Sequence, residues 1–360
     1  MKALIIQYNN IGDVLVSSVI ANNLKKIYPH SKIDFLCYKR YMGVLQKNPN
    51  IDRIIAIDSN RVRSLFFLYK YIKLIKSEKY DILINLSQNL SSFLFTIFSK
   101  SQRKYGFSQN LFNKIYDKTF TKVIVPVTQT CNLLENRLVV IEEFLKENPV
   151  PIDPQAKIYL TEQEIKEAKE KMINSGIRFT RPIIMLGVLG SNVKNTWTLG
   201  NMAKFIDFIW VNYRADLLFN YLPSQYKQIN ELLSLLNTNT KVFVQPVGKT
   251  VREYASFMQN CTLFMGNDSR AVLIAKALQK PTFTIYPPYV HRKDVACYEN
   301  TSLHQSVHLQ DFLPNLFDDF YQSELKKDSS KFYLMLSNDF VILKVKPFIK
   351  EHLSIFKKVK

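Results

Sequence analysis

The sequence predicts an α/β protein made of two doubly wound domains, each built on a mostly parallel sheet. In both halves of the chain, short runs of apolar and β-branched residues alternate with amphipathic segments, as expected for strands that helices cover on both faces. At 360 residues the chain is also too long for one comfortable core. The segment "KENPVPIDPQ" (residues 146–155) holds three prolines and is typical of a linker. We therefore predict domains over residues 1–150 and 156–335.

The first half is predicted to begin with a strand and to alternate from there. The predicted strands are "KALIIQ", "KIDFLC", "RIIAID" and "DILINLS". The predicted helices cover residues 13–28, 62–78, 91–99 and 132–147, with a short helix through "YMGVLQK". Pro29 ends the first of these helices.

The same alternation restarts after the linker. The predicted strands are "PIIMLGV", "ADLLFN", "KVFVQPV", "CTLFMG" and "PTFTIY", and the predicted helices cover residues 199–213, 224–237, 250–259 and 269–278. Residues 336–360 are predicted to form a long amphipathic helix that packs back towards the N-terminal domain. Two such domains imply a cleft between them, with ligands outside the carboxyl ends of the strands.

Net charge is the unusual bulk property, because the chain carries +19. Residues 1–130 hold 20 Lys or Arg against 7 Asp or Glu, and the other 230 residues hold 29 against 23. An anionic partner is therefore expected to meet the N-terminal half. Nucleic acid, an anionic membrane surface and a phosphorylated glycolipid all fit this charge, and so does a lysine-rich surface with no partner.

Cellular location is predicted to be cytoplasmic. The N-terminus lacks the apolar stretch of an export signal, and no run reaches the roughly 18 apolar residues of a spanning helix. The nearest stretch, "SLFFLYKYIKLI", is interrupted by lysines. The four cysteines are far apart in sequence and form no C-x-x-C pair, so neither a disulfide framework nor a zinc site is expected.

Asp13 follows Gly12 in the first strand-to-helix turn, "YNNIGDVLVSS". One interpretation is structural, because an aspartate near a helix N-terminus is favoured by the free amides and the macrodipole. The other is chemical, because a carboxylate at the carboxyl edge of a sheet can take a proton from a hydroxyl. The turn lacks the G-x-G-x-x-G pattern of dinucleotide binding.

Two polar turns in the second half are candidates for binding phosphate. In "LGSNVKNTW", Ser191 and Lys194 offer a hydroxyl and an ammonium group. In "FMGNDSRAVLIAKAL", the stretch Asn267, Asp268 and Ser269 lies between a strand and a helix, where helix amides face a ligand. The structural alternatives are a solvated polar loop and an ordinary helix cap.

Several other chemistries lack their motifs. The sequence shows no H-E-x-x-H, no G-x-S-x-G and no P-loop. It also has no D-x-D after a strand, so a divalent metal that holds a nucleotide diphosphate is not predicted.

Nearly the whole chain resembles glycosyltransferase family 9, the ADP-heptose:lipopolysaccharide heptosyltransferases. The most specific stretch is "NNIGDVLVSSVIANNLKKIYPHSKIDFLCYKRYMGVLQKNPNIDRIIAID". The segments "KYDILINLS", "RKYGF", "WTLGNMAKFIDF", "LFMGNDSRAVLIAKALQKPTFTIYPP" and "LSNDFVILKVKPFIKEHL" follow in the family's order. The resemblance implies a GT-B fold, with two Rossmann-like domains facing across a cleft.

The resemblance also implies an activity: inverting, metal-independent transfer of heptose from ADP-heptose to the Kdo/heptose inner core of lipopolysaccharide or lipooligosaccharide. Asp13 matches the family's catalytic base. The donor would contact the second domain, at Ser191, Lys194, Asn267, Asp268, Ser269 and Arg270. The anionic lipid A-core acceptor would contact the first, at Gly12, Arg61 and Arg63, although a solvated helix start also explains the two arginines.

The second domain departs from the family pattern at two positions of the "DSRAVL" stretch. Arg270 stands where the family has a glycine, and Leu273 stands where it has a histidine. Arg270 either supplies positive charge to the donor or fills its pocket. The alternatives are therefore a related transferase with another nucleotide sugar, or a non-catalytic binding relative. The C-terminal lysines, including Lys344 and Lys346, suggest contact with the inner membrane or, alternatively, a plain domain-crossing helix. No nucleic-acid partner is predicted.

Overall fold

Two parallel sheets organise the chain, one in each of two units, Met1–Tyr159 and Leu160–Lys360. The structure is a computed structural model that describes residues 1–61, 64–87, 89–107, 118–124, 133–299 and 302–354. Of the residues singled out above, Arg63 lies outside the described residues. The predicted linker falls just before the boundary between the units.

The first unit contains a sheet whose described strands are all parallel, in the order β3-β2-β1-β4-β5-β6. These strands are β1 (Lys2–Ile6), β2 (Lys32–Tyr38), β3 (Arg53–Ile57), β4 (Ile82–Asn85), β5 (Arg103–Phe107) and β6 (Lys122–Ile124). The helices are α1 (Ile11–Ile27), α2 (Leu65–Ser77), α3 (Leu90–Phe98) and α4 (Leu133–Leu145), with a 3₁₀ helix at Lys39–Val44. The four predicted strands of this half are confirmed.

The strands of the first sheet are apolar because helices cover both of its faces. Strand β1 has fully buried side chains on both faces of the sheet, at Ala3, Leu4, Ile5 and Ile6. On one face, α2 packs Phe67, Leu68 and Tyr71 against a core that includes Leu4 and Ile6 of β1. The sheet is therefore a rigid support for the turns that follow its strands.

The second unit contains a sheet whose described strands are also all parallel, in the order β11-β10-β9-β7-β8. These strands are β7 (Ile183–Gly187), β8 (Asp216–Asn220), β9 (Leu263–Asn267), β10 (Thr282–Ile285) and β11 (His304–Val307). The longer helices are α5 (Glu162–Asn174), α6 (Leu199–Tyr213), α7 (Tyr226–Ser234), α8 (Val251–Gln259) and α9 (Arg270–Ala277). The last part of the unit holds α10 (Arg292–Val295), α11 (Leu316–Asp319), α12 (Gln322–Lys327), α13 (Ser329–Met335) and α14 (Asn338–Leu353). Three 3₁₀ helices lie at Val193–Asn195, Pro223–Gln225 and Leu309–Asp311.

Three elements of the second unit differ from the prediction. The predicted strand "KVFVQPV" is wrong, because only Phe243 pairs with β8, at Leu218, and Pro246 has no N–H to extend a ladder. Helix α5 was not predicted, although Thr161 and Glu164 form a capping box at its start. Strand β11 was not predicted either, because "HQSV" has no apolar run.

The C-terminal helix α14 belongs to the core of the second unit. Its buried side chains include Val341, Val345 and Phe348, and it packs against β10, β11 and α6. The described contacts of its apolar face are therefore with the second sheet; packing against the N-terminal domain stays a prediction. Across the described part of the chain, none of the helices combines the length and the apolar character needed to cross a membrane.

Candidate active site

In the first unit, the strand order reverses between β1 and β4, where ligands bind to open α/β sheets. The chain leaves β1 through Gln7–Asn10 and enters α1, and it leaves β4 through a turn that leads to α3. Both turns lie at the carboxyl edge of the sheet. Asp13, the candidate base, is therefore at the position in the fold where a ligand is expected.

Asp13 is not the cap of α1, because that position belongs to Asn10. The side-chain oxygen of Asn10 accepts a hydrogen bond from the Asp13 backbone N–H at 2.9 Å. The Asn10 amide Nδ2 in turn donates to Asp13 Oδ2 at 2.6 Å. Asn10 thus caps the helix and holds the half-buried carboxylate in place. A carboxylate can accept several hydrogen bonds at once, and a substrate hydroxyl can be one of their donors.

A polar network joins the two turns beneath this edge. The Tyr8 backbone N–H donates to Ser87 Oγ at 2.9 Å, and the Tyr8 hydroxyl donates to Asn89 Oδ1 at 2.7 Å. Ser87 Oγ also donates to Gln7 Oε1 at 2.9 Å. Burial raises the pKa of Tyr8 to about 12, so its hydroxyl stays protonated at neutral pH. The network fixes the turn that carries Asn10 and Asp13.

The predicted acceptor residues have different environments. Gly12 is buried inside the first turn of α1, so any contact it makes with an acceptor is through its backbone. The Arg61 side chain is 74% exposed, and its guanidinium lies 3.7 Å from the Asp58 carboxylate. Arg61 is therefore on the surface, where an anionic ligand can reach it.

In the second unit, the order of the strands reverses between β7 and β9, and two glycines bring these strands close together. Gly266 has φ +139°, and a Cβ there would lie 2.3 Å from the carbonyl oxygen of Gly187. A Cβ on Gly187 would in turn meet the ring of Phe264 at 2.7 Å. Only glycine fits at position 266. The turns after the two strands are consequently held side by side.

The side chain of Asn267 connects these two turns. It is fully buried, and its Oδ1 accepts from the Trp197 backbone N–H at 2.7 Å. Its Nδ2 donates to the carbonyl oxygens of Gly187 and Val188, at 3.1 and 2.9 Å. Both donors of the amide are used, so the Asn267 side chain positions the loop that follows β7, and binding of the donor by this residue stays a prediction.

That loop presents Ser191 and Lys194 at the surface while its backbone is anchored from below. Ser329 Oγ donates to the carbonyl oxygen of Lys194 at 2.7 Å, and the Tyr289 hydroxyl donates to Asn195 Oδ1 at 2.5 Å. Within the described part of the chain the ammonium group of Lys194 has no ion-pair partner, and its side chain is exposed. Lys194 can therefore meet an anion without breaking an existing pair.

Asp268 is half-buried at the end of β9, and its backbone N–H continues the ladder to Ile285. Burial raises the pKa of Asp268 to about 6; the Glu299 carboxylate also raises it, while Lys276 opposes the shift. The carboxylate is thus ionised only above weakly acidic pH. As an acceptor it suits a ribose hydroxyl better than a phosphate.

Ser269 and Arg270 open helix α9. Ser269 is the N-cap residue, and its buried hydroxyl has no hydrogen-bond partner among the described residues. A buried hydroxyl without a protein partner normally forms a hydrogen bond with a ligand or a water molecule. The side chain of Arg270 is exposed and forms no ion pair with the described residues. The helix amides, a hydroxyl and a cation therefore meet at one place.

A buried ion pair lies behind Asp268, and sequence reasoning missed it. Lys276 of α9 donates to Glu299 Oε1 at 3.0 Å and to the carbonyl oxygen of Cys297 at 2.7 Å. Glu299 also accepts from the Tyr286 hydroxyl at 2.7 Å and from Ser306 Oγ at 2.5 Å. A lysine inside the apolar pattern "AVLIAKAL" was the one available signal, because such a residue needs a buried partner.

Elsewhere in the described ranges, no group of three or more His, Cys, Asp or Glu side chains is arranged to hold a metal ion. That the reaction needs no metal ion or cofactor stays a prediction. Asn10 and Tyr8 were also missed, because asparagine and tyrosine carry no distinctive motif in the first turn.

Comparison with known proteins agrees with the two sheets and their turns. The family model for "Glycosyltransferase family 9 (heptosyltransferase)" matches residues 68–310, about two thirds of the chain. The chain belongs to glycosyltransferase family 9. It is accordingly a glycosyltransferase with the GT-B fold, as the sequence resemblance implied.

Individual relatives extend the match beyond the family model. The lipopolysaccharide heptosyltransferase 3 of Escherichia coli is 23% identical over 287 residues, which cover 76% of this chain and 80% of the relative. The crystal structure of the family 9 glycosyl transferase from Veillonella parvula DSM 2008 has a TM-score of 0.81 at 20% identity and covers 97% of both chains. The E. coli heptosyltransferase WaaC with ADP has a TM-score of 0.69 at 15% identity, over 98% of this chain and all of that one. At these identities the two solved structures establish the fold alone.

Proposed function

We propose that this glycosyltransferase moves heptose from ADP-heptose to the inner core of lipopolysaccharide or lipooligosaccharide. The proposal rests on membership of a heptosyltransferase family and on the relatives named for lipopolysaccharide heptosyl transfer and for an ADP complex. It places the enzyme in the bacterial cytoplasm, acting on a lipid-anchored acceptor at the inner membrane. The observation that carries it is the Asp13 carboxylate, held by Asn10 at the strand-order reversal of the first sheet.

The proposed reaction is a single displacement at the anomeric carbon. The Asp13 carboxylate removes the proton of an acceptor hydroxyl, whose oxygen attacks the anomeric carbon. A new C–O bond forms as the bond between that carbon and the ADP oxygen breaks. The electron pair leaves with ADP, and the configuration inverts because attack and departure are on opposite faces.

The second unit would hold the donor and stabilise its leaving group. Lys194 and Arg270 are exposed cations without an ion-pair partner in the described chain, and the amides of α9 add partial positive charge. Ser269 would give its unpaired hydroxyl to a diphosphate oxygen. Asp268 would accept from a ribose hydroxyl. In this proposal side chains and amides neutralise the diphosphate, and no metal ion is required.

A second candidate is a family 9 transferase with another nucleotide sugar as donor. It is favoured by Arg270 and Leu273, which replace the glycine and histidine of the family pattern. A panel of donors separates the candidates: ADP-heptose, and UDP- and GDP-sugars, each with a Kdo-bearing lipid A acceptor and with EDTA.

If the enzyme transfers heptose, ADP-heptose should be the one donor of the panel that is turned over, and ADP release should require the acceptor. Mass spectra should show a product that is heavier than the acceptor by one heptose. The product's anomeric configuration by NMR should be opposite to that of the donor. Turnover with a different nucleotide sugar would establish the second candidate. ADP binding without turnover on any donor would support a non-catalytic relative.

A further inference from the structure

The first two turns of α2 expose large apolar side chains to solvent. Leu65 is 83% exposed, Phe66 is 80% exposed and Tyr69 is 64% exposed. The opposite side of the same helix is packed on the first sheet, where Ile75 is fully buried. Neighbouring apolar side chains of this size are uncommon on a surface that meets only water. This exposed face of α2 calls for a partner.

The sequence through this helix is rich in basic residues. Between Asp58 and Glu78 the sequence has no acidic residue and five basic ones: Arg61, Arg63, Lys70, Lys73 and Lys76. The side chains of Lys70, Lys73 and Lys76 are exposed, and the described residues offer them no ion-pair partner. An anionic partner can therefore approach without displacing an existing ion pair.

The two kinds of side chain are separated along the helix. Its 13 residues span about 20 Å, with the apolar residues in the first turns and the lysines in the later ones. A helix that enters a bilayer interface by its apolar end brings such lysines to the level of the lipid headgroups. The exposed Lys70, Lys73 and Lys76 favour an anionic partner, and an anionic bilayer offers negative headgroups beside an apolar interior.

A groove beside α2 has the same mixed chemistry. It has a volume of about 520 Å³ and lies between α2 and β3, the edge strand of the first sheet. Its lining includes Ile55 and Leu74 as well as Lys70 and Lys73. Apolar and cationic groups side by side suit the boundary between acyl chains and phosphate-bearing headgroups.

We propose that the exposed face of α2 docks the first unit on a bilayer that contains anionic lipids. Helices α1 and α2 both begin at the carboxyl edge of the same parallel sheet, so docking presents the edge that carries Asp13 to a membrane-anchored substrate. The biological purpose rests on the proposed function, whereas binding to lipid does not. The C-terminal helix is a poorer candidate, because Val341, Val345 and Phe348 of its apolar face are buried in the second unit.

The test is co-sedimentation of the full-length protein with vesicles of phosphatidylcholine, with and without phosphatidylglycerol. We expect binding to the anionic vesicles that weakens as salt is added. Leu65→Ser/Phe66→Ser should lower the partition coefficient at least about tenfold, because both side chains lose their apolar contact with the interface. The matched control is Leu222→Ser/Leu343→Ser, which changes two side chains of the second unit that are 61% and 66% exposed. The control should bind like the wild type.

Charge is tested in the same assay. Lys70→Glu/Lys73→Glu should lower binding about tenfold or more at low salt. Lys166→Glu/Lys227→Glu, at exposed lysines of the second unit, should have a much smaller effect. Absence of wild-type binding to anionic vesicles, or equal binding by the test and control variants, overturns the proposal. A dimer in sedimentation velocity that Leu65→Ser/Phe66→Ser dissociates also overturns it, because the face would then join two copies of the chain.

Transfer to a de-acylated, water-soluble acceptor separates this proposal from the proposed function. The docking variants should keep wild-type turnover on the soluble acceptor and lose it on vesicle-bound acceptor. If the wild type transfers heptose to neither acceptor while it still binds vesicles, the proposed function fails and the docking proposal stands. Equal loss on both acceptors overturns the docking proposal.

Discussion

The two sheet edges of this protein hold their charges in different ways. In the first unit, the half-buried Asp13 carboxylate accepts a hydrogen bond from the neutral Asn10 amide. In the second unit, Asp268 lies in front of a buried ion pair between Lys276 and Glu299. A carboxylate that must exchange protons with a substrate benefits from partial exposure. The diphosphate site proposed for the second unit combines this buried pair with the exposed cations Lys194 and Arg270.

The largest expected stability effect concerns that buried frame. Lys276→Met removes the cation from Glu299, whose remaining hydrogen-bond partners among the described residues are the hydroxyls of Tyr286 and Ser306. We expect the free energy of unfolding to fall by about 3–5 kcal/mol, because an uncompensated charge stays buried. Urea denaturation measures it.

The controls for this variant are a double mutant and a surface pair. Lys276→Met/Glu299→Gln should recover most of the loss, since no net charge then remains buried. Lys171→Met breaks the exposed pair with Glu253 and should cost far less. Equal losses at positions 171 and 276 would contradict the contrast between a buried frame and a solvated surface.

The next effect is a pH dependence at Asp268. Its pKa in the folded protein is about 6, above the unfolded value of about 4, so the folded state binds the proton more tightly. Ionisation of Asp268 therefore lowers stability as the pH rises from about 4 to about 6, by about 3 kcal/mol in full.

The variant Asp268→Asn should remove that dependence. We compare the free energy of unfolding of Asp268→Asn with that of the wild type, measured by urea unfolding at about pH 4 and about pH 8. The difference, mutant minus wild type, should be more positive at the higher pH. Asp318→Asn changes an exposed carboxylate of the same unit and is the matched surface control, measured at the same two pH values. A constant difference for Asp268→Asn would mean that this carboxylate is not desolvated.

Arg270 tests whether the exposed cations serve the donor. Arg270→Ala should raise the dissociation constant for ADP about tenfold, because a charge-assisted contact to phosphate is lost. Lys204→Ala, at an exposed lysine on α6, should leave it unchanged. Tighter ADP binding by Arg270→Ala would show instead that the arginine obstructs the site.

The smallest effect is expected at Asn10, which combines a cap and a positioning role. Asn10→Ala should cost about 1 kcal/mol of stability through the lost cap. It should also lower kcat with little change in KM for the donor, because the Asp13 carboxylate loses its orienting amide. Thr250→Ala removes the N-cap of α8 and should lower stability alone. An equal kcat for the two variants would show that Asn10 does not position the Asp13 carboxylate for catalysis.

The sequence predicted the first edge better than the second, and the reason is physical. Asp13 needs only a strand, a short turn and a helix, all of which are local patterns. The roles of Asn267 and Lys276 depend on partners 70 and 23 residues away, at Trp197 and Glu299. No local pattern specifies such pairs. The prediction of a strand at "KVFVQPV" is wrong for a related reason. An apolar run becomes a strand only where its backbone N–H and C=O groups meet those of a neighbouring strand, and the sequence of the run does not show this.

Release of ADP from ADP-heptose in the presence of a Kdo-bearing acceptor and EDTA tests the central claim most directly. Asp13→Asn should lower turnover by about 10²–10⁴-fold while ADP binding is retained, since the donor is held elsewhere. Asp339→Asn changes an aspartate in the first turn of α14 and controls for a purely helix-stabilising role. Unchanged turnover in Asp13→Asn would contradict its role as the base and leave Asp13 as a structural residue of α1.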